Sequence, residues 1–253
     1  MRLQLSSWPE VETYLKSSNG IIIPIGSTEQ HGPTGFVGTD AICPETIAKG
    51  VMAETGAMTA PTLSIGMAQH HMAFTGTITF RPTTLIAVVR DVVESLHRHG
   101  FERFFFLNGH GGNIATCDAA FSEIYADFSL RVSGADRPPP RCTMVNWFDG
   151  PDIMALSKEL YGDADGAHAT AAEVSLTYYA YPEDGARVAR NSKLDPEIAP
   201  WGPIRDADDY RRRFPDGRIG SDPTLSSVAD GKRLYDTAVA EVSRRYRAFM
   251  EED

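Results

Sequence analysis

Twice in this chain a short, dense apolar run stops at a glycine-rich polar loop, and each loop leads towards a helical pattern. The first run is Gly20-Ile21-Ile22-Ile23-Pro24-Ile25-Gly26. Its branched side chains do not alternate with polar ones, so it predicts a strand buried on both faces, as in a parallel sheet covered by helices. The second is Arg103–Leu107, followed by a turn at Asn108–Asn113 and a helix over Ile114–Asp127. Strand, turn and helix in that order define an α/β layer fold. In such sheets ligands bind beyond the carboxyl ends of the strands, where both polar loops fall.

The remaining pattern fits that frame. A helix is predicted over Pro44–Glu54, with proline in its first turn, and an alternating strand over Thr75–Phe80. Thr83–His99 carries the clearest helical stripe, formed by Leu85, Val88, Val89, Val92, Val93 and Leu96. Thr83 or Thr84 is placed to cap it and Gly100 to end it. After Pro138-Pro139-Pro140 come a strand at Cys142–Trp147 and helices at Asp152–Leu160 and Thr170–Tyr181. Residues 182–223 predict an irregular surface excursion, and Ser226–Met250 a closing helix with Val239, Val242, Tyr246 and Phe249 on one side. Nothing resembles an interdomain linker, so residues 1–253 are taken as a single domain.

With 42% hydrophobic residues the chain can bury a core, which excludes wholesale disorder. Runs as short as Ile21–Ile25 and Phe104–Leu107 exclude a membrane span, which needs about 18–20 apolar residues. Lys and Arg number 24 against 34 Asp and Glu, a formal charge of −10 that disfavours nucleic acid as a partner. Arg211, Arg212 and Arg213, the only basic run, are expected in a solvated loop. Cys43, Cys117 and Cys142 are odd in number and far apart, which predicts buried thiols in a reducing compartment. The first residues lack the apolar core of a signal peptide. A cytoplasmic protein is expected.

Three stretches carry metal-liking side chains. In Gly26-Ser27-Thr28-Glu29-Gln30-His31-Gly32, Glu29 and His31 are two apart and leave extended backbone on the same side, while Asp40, nine residues after His31, offers another oxygen. Alone, this is equally a polar surface loop. In Asn108-Gly109-His110-Gly111-Gly112-Asn113, His110 suits a metal; the rival reading is an anion cradle of backbone amides at a helix start. In the third, His168 and Glu173 are five apart, about 140° around a helix, so His168 belongs before the helix and Glu173 in its first turn. Carboxylates and imidazoles without thiolate favour Zn, Mn or Fe, and two ions would need a bridging carboxylate such as Asp40. Such a centre activates water near neutral pH and polarises a carbonyl.

Pro24-Ile25-Gly26-Ser27-Thr28-Glu29-Gln30-His31-Gly32, Thr39-Asp40, Asn108–Asn113, and His168 followed by Glu173-Val174-Ser175 together resemble the creatininase family, from about residue 20 to residue 180. The resemblance implies a three-layer α/β/α fold around a mainly parallel sheet, two divalent metal ions and a homo-hexamer. It implies that Glu29, Asp40 and His110 hold one ion and that His31 with the bridging Asp40 holds the other. In creatininase itself a glutamate two residues after the loop histidine completes the second site. That position is Gly112 here, and the glutamate of the E-x-S motif, Glu173, takes the role. His168 matches the family's acid/base histidine.

The chain also departs from the family's creatinine hydrolases. Ala167 stands where they carry a glutamate before the catalytic histidine, and Ala164 lies near the place of a tryptophan. His71-Met72-Ala73-Phe74-Thr75-Gly76-Thr77 echoes a family motif with Thr75 in place of proline, which makes His71 a candidate substrate-binding residue. His70, His97 and His99 are expected to be solvent or packing residues, and Trp147 a pocket or core aromatic. The expected activity is metal-dependent hydrolysis of a C–N bond in a small molecule: an amide, cyclic amide or formamide other than creatinine. The alternatives are hydrolysis of a lactone or cyclic ketone at the same centre, and non-catalytic binding of phosphate or a nucleotide.

Overall fold

The computed structural model describes residues 1–130 and 138–252. Among the described residues, four parallel strands, β1 (Gly20–Ile25), β2 (Met58–Thr59), β3 (Arg103–Asn108) and β4 (Arg141–Asn146), lie in the order β2-β1-β3-β4. Side chains alternate across the sheet. Ile22, Phe105 and Leu107 join the core on one face, and Ile21, Ile23, Ile25, Phe104 and Phe106 the core on the other. Each such burial contributes roughly 1.5–3 kcal/mol, against about 1 kcal/mol net for a ladder hydrogen bond. Coverage of both faces thus explains why the first apolar run does not alternate.

In chain order the helices are α1 (Trp8–Tyr14), α2 (Thr39–Thr55), α3 (Pro82–His99), α4 (Ile114–Ser129), α5 (Pro151–Tyr161), α6 (Ala171–Ala180), α7 (Pro182–Asn191), α8 (Ala207–Arg213) and α9 (Val228–Glu251). Helices α2, α5, α6 and α9 supply one core, while α3 and α4 supply the other. The fold is a three-layer α/β/α arrangement. Helix α2 carries the chain from β1 to β2 on one face, and α4 carries it from β3 to β4 on the opposite face. The loops leaving β1 and β3 therefore diverge between adjacent strands, opening a crevice at the carboxyl edge.

Several elements differ from the sequence expectation. Helix α2 begins at Thr39, not Pro44, which puts Asp40 in its first turn. Pro44 has no N–H to give the Asp40 carbonyl. That carbonyl instead packs where a Cβ on Gly26 or Gly109 would come within 2.1 or 2.0 Å of it. Two glycines thus let both loops close onto the start of α2. Thr75–Phe80 forms no strand; a single bridge joins Thr28 to Ile78. Helix α3 opens with Pro82 at its first position and no side-chain cap, so neither Thr83 nor Thr84 is needed. It buries Leu85, Val89 and Val93 and ends at Gly100, φ +113°.

The excursion over 182–223 contains α7 and α8, and Arg211–Arg213 end α8 instead of lying in a loop. Tyr210, Phe214 and Ile219 form a small third core. All three cysteines are free thiols. At the far end of the chain, Glu241 of α9 is buried, and its carboxylate accepts the Ile153 N–H at 3.1 Å. It thereby caps the start of α5, where Gly150 makes room for it. No helix among the described residues is long and apolar enough to cross a membrane.

Candidate metal centre

The loop after β1 turns Glu29 and His31 into the crevice, the first turn of α2 adds Asp40, and the turn after β3 adds His110. Asparagines hold these loops together. Asn108 brackets His110, donating to its carbonyl at 2.7 Å and accepting its N–H at 3.1 Å. Asn113 donates to the Gly26 carbonyl at 3.0 Å. At the head of α6, Thr170 and Glu173 form a capping box, so the Glu173 carboxylate is held close to its own helix start.

Asp40 lies between two imidazoles, with Oδ1 3.0 Å from His31 Nε2 and Oδ2 2.9 Å from His110 Nδ1. His110 Nε2 is 3.3 Å from Glu29 Oε2, and His31 Nε2 is 3.8 Å from Glu173 Oε2. Two groups of potential ligands follow, Glu29–Asp40–His110 and His31–Asp40–Glu173, each with its donor atoms within 4.8 Å of one another and both containing Asp40. Glu29, His31 and His168 form a third such group. The donor chemistry fits divalent cations, and so does a defect in the hydrogen bonding. Glu29 Oε1 and Asp40 Oδ2 are buried and accept no hydrogen bond of acceptable geometry, although imidazole nitrogens lie nearby. A buried carboxylate oxygen without a partner is costly unless a cation faces it.

Backbone carbonyls, which can only accept, assign the ring tautomers. His31 Nδ1 faces the Glu29 carbonyl at 3.1 Å, His110 Nε2 the Met67 carbonyl at 3.0 Å, and His168 Nε2 the Gln30 carbonyl at 2.8 Å. In each ring that nitrogen carries hydrogen, and the other is turned towards the carboxylates. Burial opposes charge on His31, but Asp40 and Glu173 outweigh it and raise the group to about 10. Burial opposes it on His110 too, where Glu29 and Asp40 raise it to about 9. Asp40 is held well below the carboxylate range: burial works against its charge, and His31 and His110 overcome it. Burial lifts Glu173 to about 7, with His31 pulling the other way. His168 lies far below the ordinary imidazole value through burial and the neighbouring His71 and His31, and His71 falls to about 2 through burial and His70.

Beside these groups opens a cavity of about 730 Å³, whose lining includes Asp40, His110, Trp147, Met154, His168 and Glu173. Trp147 is 3% exposed and serves both core and wall. His71 does not line this cavity. It lies behind Glu29, 1% exposed, with Nε2 3.1 Å from Glu29 Oε1. His70 packs its ring 4.1 Å from that of His71, and His97 is buried against the Pro138 carbonyl. Gly112, at the family's glutamate position, has no room for a side chain, since a Cβ there would lie 2.3 Å from His110 Nε2.

His168 is fixed from its own backbone as well. It bridges to Ile219, and its carbonyl accepts from Ser221 Oγ at 2.7 Å. The next residue, Ala169, has φ +53°, a strained conformation for a residue with a Cβ. Gln30, Ser27 and Tyr210 also belong to the site. Ser27 Oγ donates to Glu29 Oε2 at 2.7 Å, and the Tyr210 ring lies 4.5 Å from that of His71. Ser27 and Gln30 sit within the first motif, but no spacing rule connects Tyr210 to it.

A two-sided α/β sheet with a buried carboxylate–imidazole cluster at its carboxyl edge defines the class of a hydrolase-like metal centre. The creatininase family model, described as creatinine amidohydrolase, matches residues 4–246, so the chain belongs to the creatininase family. The creatinine amidohydrolase of Pseudomonas putida is 27% identical, with 70% of each chain covered. The 3-dehydro-scyllo-inosose hydrolase of Thermotoga maritima is 27% identical over 98% of this chain and 83% of its own. The mycofactocin precursor peptide peptidase of Mycolicibacterium smegmatis is 27% identical over 85% of this chain and 79% of its own. Among solved structures, a manganese creatininase superposes with a TM-score of 0.80 at 22% identity, covering 99% of both chains. A zinc–zinc creatininase variant superposes with a TM-score of 0.78 at 22% identity, covering 99% of this chain and 98% of its own. These likenesses establish the fold.

Proposed function

We propose that this chain hydrolyses a carbon–nitrogen bond of a small molecule, an amide, cyclic amide or formamide, with two divalent ions (Zn, Mn or Fe) held at the Asp40 cluster. The observation that carries the reading is the double membership of Asp40, shared by two ligand groups on opposite sides of one carboxylate. Glu29, Asp40 and His110 would hold one ion, and His31, Asp40 and Glu173 the other. Bound there, the ions would supply activation of water and polarisation of the carbonyl. His168, neutral and lining the cavity, is suited to take a proton at Nδ1 and deliver it to the leaving nitrogen. His71 supports Glu29 from behind instead of touching substrate. The carboxylates Glu29 and Asp40 beside His110 repel a phosphate, which disfavours the anion-cradle reading. The free thiols agree with a reducing, cytoplasmic setting, and the family resemblance implies a homo-hexamer.

The test is to load the protein with zinc or manganese, count ions by elemental analysis, and assay creatinine, p-nitroacetanilide, formylated amines and a lactone. Two ions per chain with amine release from an amide supports the proposal. Acid release from the lactone alone moves the chemistry to ring esters, and full activity without metal overturns the centre.

A further inference from the structure

Gln30 lies between Glu29 and His31 and is the most heavily connected polar residue near the site. Its carboxamide nitrogen is 3.0 Å from the Gly217 carbonyl, 2.9 Å from His71 Nδ1, 3.2 Å from the Tyr210 hydroxyl and 2.9 Å from His168 Nε2. Its oxygen accepts the Gly32 N–H at 2.8 Å. The Tyr210 hydroxyl donates to the same Gly217 carbonyl at 2.7 Å.

Only one arrangement of protons satisfies this cluster. The Gly217 carbonyl cannot donate, and neither can the Gln30 main-chain carbonyl, 2.8 Å from His168 Nε2. His168 therefore carries its hydrogen on Nε2 and makes no bond to the carboxamide nitrogen. One Gln30 N–H goes to Gly217 and the other to His71 Nδ1. His71 Nδ1 is then the acceptor, so its hydrogen sits on Nε2, 3.1 Å from Glu29 Oε1 but outside hydrogen-bonding geometry.

We propose that Gln30 is a positioning residue for the reaction: its main-chain carbonyl sets the basic nitrogen of His168, and its carboxamide sets the tautomer of His71 while latching the Tyr210–Gly217 segment over the centre. The assignment rests on the reading of His168 as the acid/base group, but its proton placement can be tested without any substrate. The fit at Gly217 shows how closely the latch is built: a Cβ there would lie 1.8 Å from Gln30 Oε1.

The experiment compares zinc-loaded wild type with Gln30→Glu, which keeps the shape but puts only acceptors opposite His71 Nδ1. Ring 15N–1H correlation spectra should show Nε2–H for both His71 and His168 in wild type. In Gln30→Glu, His71 should gain an Nδ1–H. Zinc content should be unchanged, and kcat on p-nitroacetanilide should fall by about 10- to 100-fold with little change in KM. If Gln30→Glu does not fold, Gln30→Met retains the bulk without charge. It should release His71 into mixed tautomers with the same fall in kcat. Unchanged His71 tautomer, unchanged kcat, or zinc loss equal to that of Glu29→Ala would each overturn the assignment. Should no amide be turned over at all while the spectra shift as described, the proton placement stands and the hydrolase reading fails.

Discussion

Three buried histidines and a half-buried fourth share one centre, yet they divide into two opposite kinds. His31 and His110 are pushed up to about 10 and about 9, whereas His168 is pushed far down and His71 down to about 2. Distance does not separate them, since the His31 and His168 rings are 4.5 Å apart. Nor does depth, because burial disfavours charge on all four. The difference is the partner: His31 and His110 each touch Asp40 within 3.0 Å, while His71 and His168 stack on each other with centroids 4.5 Å apart. One half of the centre is thus built to hold positive charge, and the other to stay neutral.

Removing the shared anion should erase the contrast most completely. Asp40→Ala is expected to lose both ions by elemental analysis, and with them all activity, since each ligand group loses a member. His168→Ala should leave both ions in place and cut turnover by about 10²- to 10⁴-fold, the worth of a general acid/base. Retained turnover in that variant would dissolve the distinction between the two halves. The pH dependence of loading sharpens it further. In the metal-free protein His31 and His110 hold protons below about 10 and about 9, and a cation must displace them. Affinity should therefore rise with pH through the neutral range, with roughly two protons released per loaded centre near pH 7. Calorimetry in buffers of different ionisation enthalpy measures that count, and a pH-independent affinity would contradict the assignment. The smallest effect is expected at Ala169. A branched side chain at its positive φ should make Ala169→Val less stable by about 1–2 kcal/mol in urea unfolding, while Ala169→Gly stays within about 1 kcal/mol.

Much of the layer order was legible because apolar runs such as Ile21–Ile25 and Phe104–Leu107 have one physical solution, a strand covered on both sides. The start of α2 was not. A proline normally marks a first turn, and Pro44 is tolerated deeper only because the Asp40 carbonyl packs against Gly26 and Gly109, a contact between loops far apart in sequence. Helix α8 could have been found from its charges, with Asp206, Asp208 and Asp209 at the start and Arg211–Arg213 at the end, an order that suits the helix dipole. The motifs named Glu29, His31, Asp40, His110, His168 and Glu173, and the fold brings all six to one edge of the sheet. His71 lies off the cavity wall because the turn at 69–71 tucks it under Glu29, which local sequence does not reveal.

Glu241 stands midway along α9, away from the ligand groups, yet it anchors the start of α5, which carries Met154 and Ser157 into the cavity wall. Drift at this remote acid would therefore be felt as altered substrate preference as well as lost stability, so the evolutionary freedom of the C-terminal segment is narrower than its lack of motifs suggests.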